Sequence, residues 1–153
     1  MSPGDLRDKL YLIGDLVYWQ DPNSETRIRD YDAVTPYNMH TSVQAVLDNF
    51  EYNLNNKYDE WLSICIRAGM GFIPSAIPGF DDRSVRSGNL PLPRSLDRFK
   101  KQLEIAKLHA KDNIFIVTTF NEWHESTQIE PSREEGMKYL EVLLTSLKPR
   151  EKL

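Results

Sequence analysis

Glu122, Glu125 and Glu130 stand close together among Asn121, Trp123 and His124, in the stretch FIVTTFNEWHESTQIEPS over residues 115–132. Two acids three residues apart, beside an indole and an imidazole, point to sugar chemistry. There one carboxyl assists attack at the anomeric carbon and the other protonates the leaving oxygen. The segment opens on Ile114, Phe115, Ile116, Val117, Thr118 and Thr119, an apolar and β-branched run that reads as a strand. A strand that delivers carboxylates and aromatics at its C-terminal end is how α/β folds assemble active sites. Glu122 and Glu125 follow this run directly, where an unpaired charge is costly. That favours ligand binding or catalysis over a structural ion pair.

The elements that would position these groups alternate along the chain. Lys9 to Val17 is strand-like, Asp21 to Arg29 a turn or short helix, and Tyr31 to Tyr37 a second strand. From Thr41 to Ala68 the apolar residues Val43, Val46, Leu47, Phe50, Leu54, Tyr58, Trp61 and Cys65 fall three or four apart, predicting one amphipathic helix. Thr41 or Ser42 is the expected N-cap, and Gly69 suits the C-terminal stop. Gly69 to Ile77 is a third strand, followed by the long polar loop PGFDDRSVRSGNLPLP. Ser95 to Ala110 reads as a second helix, with Leu96, Phe99, Leu103, Ala106 and Ala110 inward. Asn113 to Phe120 is the fourth strand. Ser132 and Glu135 make a capping-box pattern that opens a last helix to about Leu147, with Met137, Leu140, Leu143, Leu144 and Leu147 inward and Pro149 as its stop.

This order predicts an α/β protein with a parallel sheet and right-handed crossovers. Its 153 residues are expected to form a single partial domain over 1–153. Four βα units correspond to about half of a (β/α)8 TIM barrel, which typically takes ~250 residues. The four strand ends carry Asp15, Tyr18 and Trp19; then Tyr37, Asn38 and His40; then Asp81, Asp82 and Arg83; then Asn121 to Glu125. Aromatic faces suit the apolar face of a sugar ring, and carboxylates and amides suit its hydroxyls.

Several of these residues have plainer readings. Trp123 could fill the core. His40, His109 and His124 could be hydrogen-bonded structural histidines. Asp81 and Asp82 could make turns or pair with Arg83 and Arg86. Glu134 and Glu135 suit a helix N-terminus. Cys65, the single cysteine, sits in an apolar helical run and reads as a buried, inert thiol.

Composition narrows the function classes. Forty per cent hydrophobic and 27% charged residues fit an ordinary globular domain. A net charge of −4 argues against nucleic acid and anionic membrane surfaces as partners. The apolar runs are too short to span a bilayer. There is no Cys/His cluster with zinc spacing, so neither metal nor cofactor is expected. The N-terminal MSPGDLRDKL carries charges where an export signal has an apolar core. No signal peptide is therefore expected, and the chain as given reads as cytoplasmic with its compartment otherwise open.

The segment FNEWHESTQIEPS resembles the signature of glycoside hydrolase family 99, the endo-α-mannosidases and endo-α-mannanases, and of family 99-like domains in bacterial polysaccharide biosynthesis. The likeness runs residue by residue at Asn121, Glu122, Trp123, His124, Glu125, Thr127, Ile129, Glu130 and Pro131. PGFDDRSVR is similar to the loop preceding that motif, and YDAVTPYN to the strand carrying a family tyrosine. The resemblance covers the C-terminal half of the family's barrel. It implies a retaining, endo-acting α-mannosidase working on an oligosaccharide or polysaccharide. Glu122 would assist the sugar's own 2-hydroxyl, and Glu125 would be the general acid/base. It further implies that Tyr37, Asn38, Asp81, Arg83, Asn121, Trp123, His124 and Glu130 contact substrate or support those that do.

Ser126 departs from the pattern, which has glycine there. A left-handed backbone at that position would cost serine about 1 kcal/mol or more. A half barrel would also expose two sheet edges. It calls for a second copy or a partner carrying the N-terminal half. Three readings stay open on sequence: a glycosidase active once its barrel is complete, a non-hydrolytic carbohydrate-binding or biosynthetic accessory module, and an inactive truncated remnant.

Overall fold

A computed structural model of the chain describes residues 8–111 and 113–147. Its strands are all parallel and shorter than the apolar runs that contain them. β1 is Ile13–Asp15, β2 Ala33–Thr35, β3 Gly71–Phe72, β4 Ser75–Ala76 and β5 Ile116–Val117. β1 pairs with β2 in the register Ile13 to Ala33, β2 with β3 at Val34 to Phe72, and β4 with β5 at Ser75 to Ile116. The expected third strand is thus two pieces, broken at Ile73 and Pro74.

The break is a change of partner. Ile73 N–H donates to Val34 O at 2.9 Å, and the Thr35 hydroxyl donates to Ile73 O at 2.7 Å. At Pro74, which has no N–H to give, the chain turns toward β5, and Ile116 N–H donates to Pro74 O at 2.9 Å. Beyond that point Ser75 has left β2. Buried Tyr58 takes over both groups: its hydroxyl donates to Ser75 O at 3.0 Å and accepts from Ser75 N–H at 3.3 Å. Among the described residues, β1 and β5 are each paired on one side only.

The region expected to be one helix over 41–68 is two: α1, Gln44–Leu47, and α2, Phe50–Ala68. Asn49 leaves helical geometry at φ −130°, ψ 46°. The Asn53 side chain reaches back to Val46 O at 3.1 Å. Neither Thr41 nor Ser42 caps α1: Thr41 Oγ1 accepts from Val43 N–H, and the Ser42 hydroxyl donates to Asn89 Oδ1. Val43 precedes the helix and is exposed rather than inward. The stripe Phe50, Leu54, Tyr58, Trp61 and Cys65 is buried as expected. Gly69 closes α2 at φ 72°, with Met70 N–H on Cys65 O. Burial pushes the Cys65 thiol up to about 11, so it is inert near neutrality. The expected turn at 21–29 forms two short 3-10 turns, Pro22–Ser24 and Ile28–Asp30.

α3 is Leu96–His109, with Ser95 Oγ accepting from Arg98 N–H at its start. His109 is buried, its ring nitrogens on Ile105 O and Asp59 Oδ1, which is the structural reading. α4 is Lys138–Leu147 and starts later than the capping box implies. The Ser132 side chain does accept from Glu135 N–H at 2.8 Å, but Gly136 at φ 60° ends that turn before the helix begins. This shift rotates the inward face. Tyr139 is buried and Leu140 and Leu143 are half-buried, but Met137, Leu144 and Leu147, expected inward, are exposed. Pro149 lies outside the described residues. Two apolar clusters result. One gathers on α2 and the β1–β3 side; the other joins Phe99 and Leu103 of α3 to Ala76, Ile129 and Tyr139.

Candidate active site

The strands form two parallel sheets, β1-β2-β3 and β4-β5, and the segments after β2, β4 and β5 leave from the C-terminal ends of their strands. Tyr37 follows β2, the loop over 78–93 follows β4, and the acid-bearing turn over 119–130 follows β5. The Thr118 hydroxyl donates to Tyr37 O, tying the first to the third. Tyr37 N–H donates to Asp15 Oδ1 at 3.0 Å, which brings in the end of β1.

The loop is pinned where it begins and ends: Phe80 and Leu92 exchange two backbone hydrogen bonds of 2.8 Å. Inside it, Asp82 is fully buried. Its carboxylate accepts from Asn89 Nδ2 at 3.0 and 2.8 Å and from Arg86 Nη1 at 3.3 Å. The same Arg86 nitrogen donates to Glu125 Oε1 at 3.1 Å. Hydrogen bonding to Glu125, then to Asp82, holds the Arg86 guanidinium above its ordinary value. Asp81 N–H donates to Glu125 O at 2.8 Å, and the Ser84 hydroxyl contacts His124 O at 3.5 Å. The loop therefore grips the acid-bearing turn by backbone and by side chain.

The turn is built from its own polar groups. Glu122 N–H donates to Thr119 Oγ1 at 2.9 Å, and Thr119 N–H donates to Thr127 O at 2.8 Å. Trp123–Glu125 forms one 3-10 turn, and the peptide between Thr118 and Thr119 is cis. Ser126 ends that turn in the left-handed region at φ 55°, ψ 27°. This is the conformation for which glycine is suited, at the position where the resemblance has glycine.

The sequence-predicted residues divide into those the fold gathers and those it does not. The Thr118 hydroxyl ties Tyr37 to the segment that carries Glu122 and Glu125. The Tyr37 hydroxyl is pushed above its ordinary value first by burial, then by Glu125, Glu122 and Asp15. Trp123 is 46% exposed, not core filler, and its Nε1 donates to Glu130 Oε2 at 2.8 Å. An indole face thus lies open beside the carboxylates. Asp81 and Arg83 pair with each other at 2.7 Å, and Arg83 holds the Asp81 carboxyl below its ordinary value. Only the Asp81 backbone reaches the turn. Asn38 is used locally, its Oδ1 accepting from His40 N–H. Asn121 and His124 are exposed on the turn. His40 is structural: it stacks on Phe80 at 3.8 Å, with Nε2 2.8 Å from Leu90 O.

The plainer reading of Asp81 and Asp82 as partners of Arg83 and Arg86 holds; the link from Arg86 to Glu125, and the parts played by Asn89 and Arg94, were not foreseen from sequence. Arg94 Nη1 donates to Ser126 O at 2.7 Å, and its fork binds Glu135 at 2.6 Å. The run DDRSVR carried a signal for Arg86 as a carboxylate partner; nothing local marked Arg94.

Comparison with known proteins converges on one family. Residues 50–146 match the model of glycosyl hydrolase family 99. The chain is 33% identical over 100 residues to a glycoprotein endo-alpha-1,2-mannosidase of Xenopus laevis, covering 60% of this chain and 22% of that protein. It is 35% identical over 101 residues to the Rattus norvegicus protein of the same name, covering 61% and 22%. The chain therefore spans about a fifth of the length of these curated relatives. Among solved structures, a glycoside hydrolase-like protein superposes with TM-score 0.78 at 20% identity, covering 95% of this chain and 48% of that one. The GH99 endo-alpha-mannosidase from Bacteroides thetaiotaomicron gives TM-score 0.59 at 24% identity, covering 78% and 34%.

Proposed function

The chain belongs to glycosyl hydrolase family 99, and from that premise we propose that it supplies the acid-bearing, C-terminal half of a (β/α)8 barrel that hydrolyses α-mannosides with retention. Residues 1–153 form one partial domain. The N-terminal half of such a barrel lies outside these residues. The substrate is an oligosaccharide or polysaccharide cut within its length. The observation that supports this reading is that the segments after the parallel strands are tied to one another: the Thr118 hydroxyl donates to Tyr37 O, and Arg86 of the loop after β4 donates to Glu125 on the turn after β5.

The proposed chemistry follows from that arrangement. Glu122 takes the proton of the sugar's 2-hydroxyl as that oxygen attacks C1. The C1–O bond to the leaving group breaks, and Glu125 gives its proton to the departing oxygen. The product is a 1,2-anhydro sugar. Water then attacks C1, Glu125 takes the water's proton, and the 2-oxygen regains a proton from Glu122. Both displacements occur at C1, so configuration is retained. Trp123 offers its exposed face to a sugar ring, with Glu130 fixing the indole. Tyr37, Asn38, Asp81, Arg83, Asn121 and His124 line or support the surroundings.

The open rim favours a second reading. β1 and β5 lack partners on their outer sides among the described residues, so the acids stand on an incomplete wall. Such a surface suits carbohydrate binding without turnover, as in a polysaccharide-assembly accessory domain. Assays on aryl α-mannosides and on α-1,2- or α-1,3-linked oligomannosides, with the N-terminal half of the barrel present, separate the two readings. Turnover lost in both Glu122→Gln and Glu125→Gln supports hydrolysis. Saccharide binding without turnover, unchanged by those substitutions, defeats it.

A further inference from the structure

We infer that Arg94 is the positioning residue of the acid-bearing turn, holding Ser126 and through it the Glu122–Glu125 pair. Its consequence for the reaction rests on the glycosidase reading; its geometry does not.

Arg94 is itself fixed before it fixes anything. Ser95 N–H donates to Pro78 O at 3.2 Å, and the Phe80–Leu92 bridge closes the loop two residues away. Gly79 packs directly on it. A Cβ at Gly79 would lie 2.8 Å from Arg94 Cα and 2.9 Å from its N, so any side chain there would displace Arg94. The guanidinium is then enclosed on three sides. Nε lies 3.1 Å from each Glu135 oxygen and Nη2 is 2.6 Å from Oε2. The Tyr139 ring centroid lies 4.3 Å from Cζ. The remaining prong, Nη1, donates to Ser126 O at 2.7 Å.

Ser126 is the residue at which the turn reverses. Its φ of 55° is unfavourable for a side-chain-bearing residue. A charge-assisted hydrogen bond on its carbonyl holds that conformation in place. Because Glu135 matches the Arg94 charge, Arg94 acts on the acids through position rather than through its field. A planar fork can serve a carboxylate and a carbonyl together; a lysine ammonium has no such fixed geometry.

The test uses the 153-residue chain with Arg94→Met, Arg94→Lys and Glu135→Gln, read by amide hydrogen exchange and by 19F NMR of 5-fluorotryptophan. In Arg94→Met, exchange over 119–130 is expected to rise about tenfold, with exchange over 54–65 in α2 unchanged. The Trp123 fluorine resonance moves and that of buried Trp61 does not. Arg94→Lys recovers only part of the protection. Glu135→Gln, which keeps the bond to Ser126, loosens 119–130 less than Arg94→Met. Unchanged exchange over 119–130 in a folded Arg94→Met or Arg94→Lys chain overturns the inference, as does a uniform rise across α2 and the turn. With the N-terminal half of the barrel present, kcat on an aryl α-mannoside is expected to fall about tenfold in Arg94→Met with KM within about twofold. Turnover that survives Glu125→Gln defeats the glycosidase reading and leaves the exchange result standing.

Discussion

Arg86 joins Glu125 to a carboxylate that solvent does not reach: the nitrogen that donates to Glu125 Oε1 at 3.1 Å also donates to Asp82 at 3.3 Å. Asp82 is fixed by Asn89 as well, so the position of Glu125 is referred to the interior of the loop. Arg86 itself is largely exposed, and exposed ion pairs add little to stability. Arg86→Met is therefore expected to leave the melting temperature close to wild type. Turnover, or saccharide affinity, falls on the order of tenfold because Glu125 loses its tether. Asp82→Ala removes the anchor itself and is expected to lower the melting temperature clearly. Thermal melts with parallel assays check both; an Arg86→Met chain that keeps full activity refutes the tether.

Ser126→Gly is expected to stabilise the chain by about 0.5–1 kcal/mol. Relief of the left-handed strain exceeds the extra chain entropy that glycine brings to the unfolded state. Ser126→Val, β-branched at φ 55°, is expected to destabilise. Urea titrations with an unchanged m-value make the comparison. A glycine variant less stable than wild type would show that the serine side chain contributes more than its backbone costs.

The order of strands and helices was readable because β-branched runs and three-to-four spacing survive in the linear sequence. The stripe from Phe50 to Cys65 and the Gly69 stop are local features and formed as read. Misreadings arose where a local pattern continued through a break. The apolar period runs on past Asp48 and Asn49, yet the chain kinks there. The capping box at Ser132 and Glu135 forms, yet Gly136 delays α4. At the site, Glu122, Glu125 and Trp123 were visible as residue types in one segment. Arg86 meets Glu125 across 39 residues, and Arg94 meets Ser126 across 32. No periodicity connects such pairs. They are set by the loop folding back at Phe80 and Leu92, a tertiary event.

Tyr58 replaces a missing strand partner for Ser75, so Tyr58→Phe is expected to cost roughly 1–2 kcal/mol at pH 8. Burial pushes its hydroxyl from the ordinary 10.0 up to about 12. The unfolded phenol ionises first, and the stability from burying it neutral is whole below pH 10. It declines as pH rises from about 10 to about 12, by roughly 2–3 kcal/mol in all. The wild-type advantage over Tyr58→Phe should therefore vanish at about pH 11 and reverse by about pH 12. Chemical denaturation at stepped pH measures the gap; a gap constant to pH 12 would mean the hydroxyl titrates normally.

The Tyr37 phenol can report on both acids without any assay of activity. Burial is the leading cause of its raised value, followed by Glu125, Glu122 and Asp15, in that order. Each carboxylate makes a neighbouring phenolate more costly, so replacing one by its amide removes that share and leaves the burial share. The phenol is expected to titrate at lower pH in Glu125→Gln than in wild type. A smaller fall is expected in Glu122→Gln, and the smallest in Asp15→Asn. Tyrosine labelled with 13C at Cζ resolves this by NMR, with Tyr37→Phe assigning the resonance. Tyr37 is 46% exposed, so added salt should shrink the differences between variants without reversing their order. A resonance that ignores both glutamine substitutions would place the acids away from Tyr37. The common face on which two-carboxylate chemistry depends would then be absent.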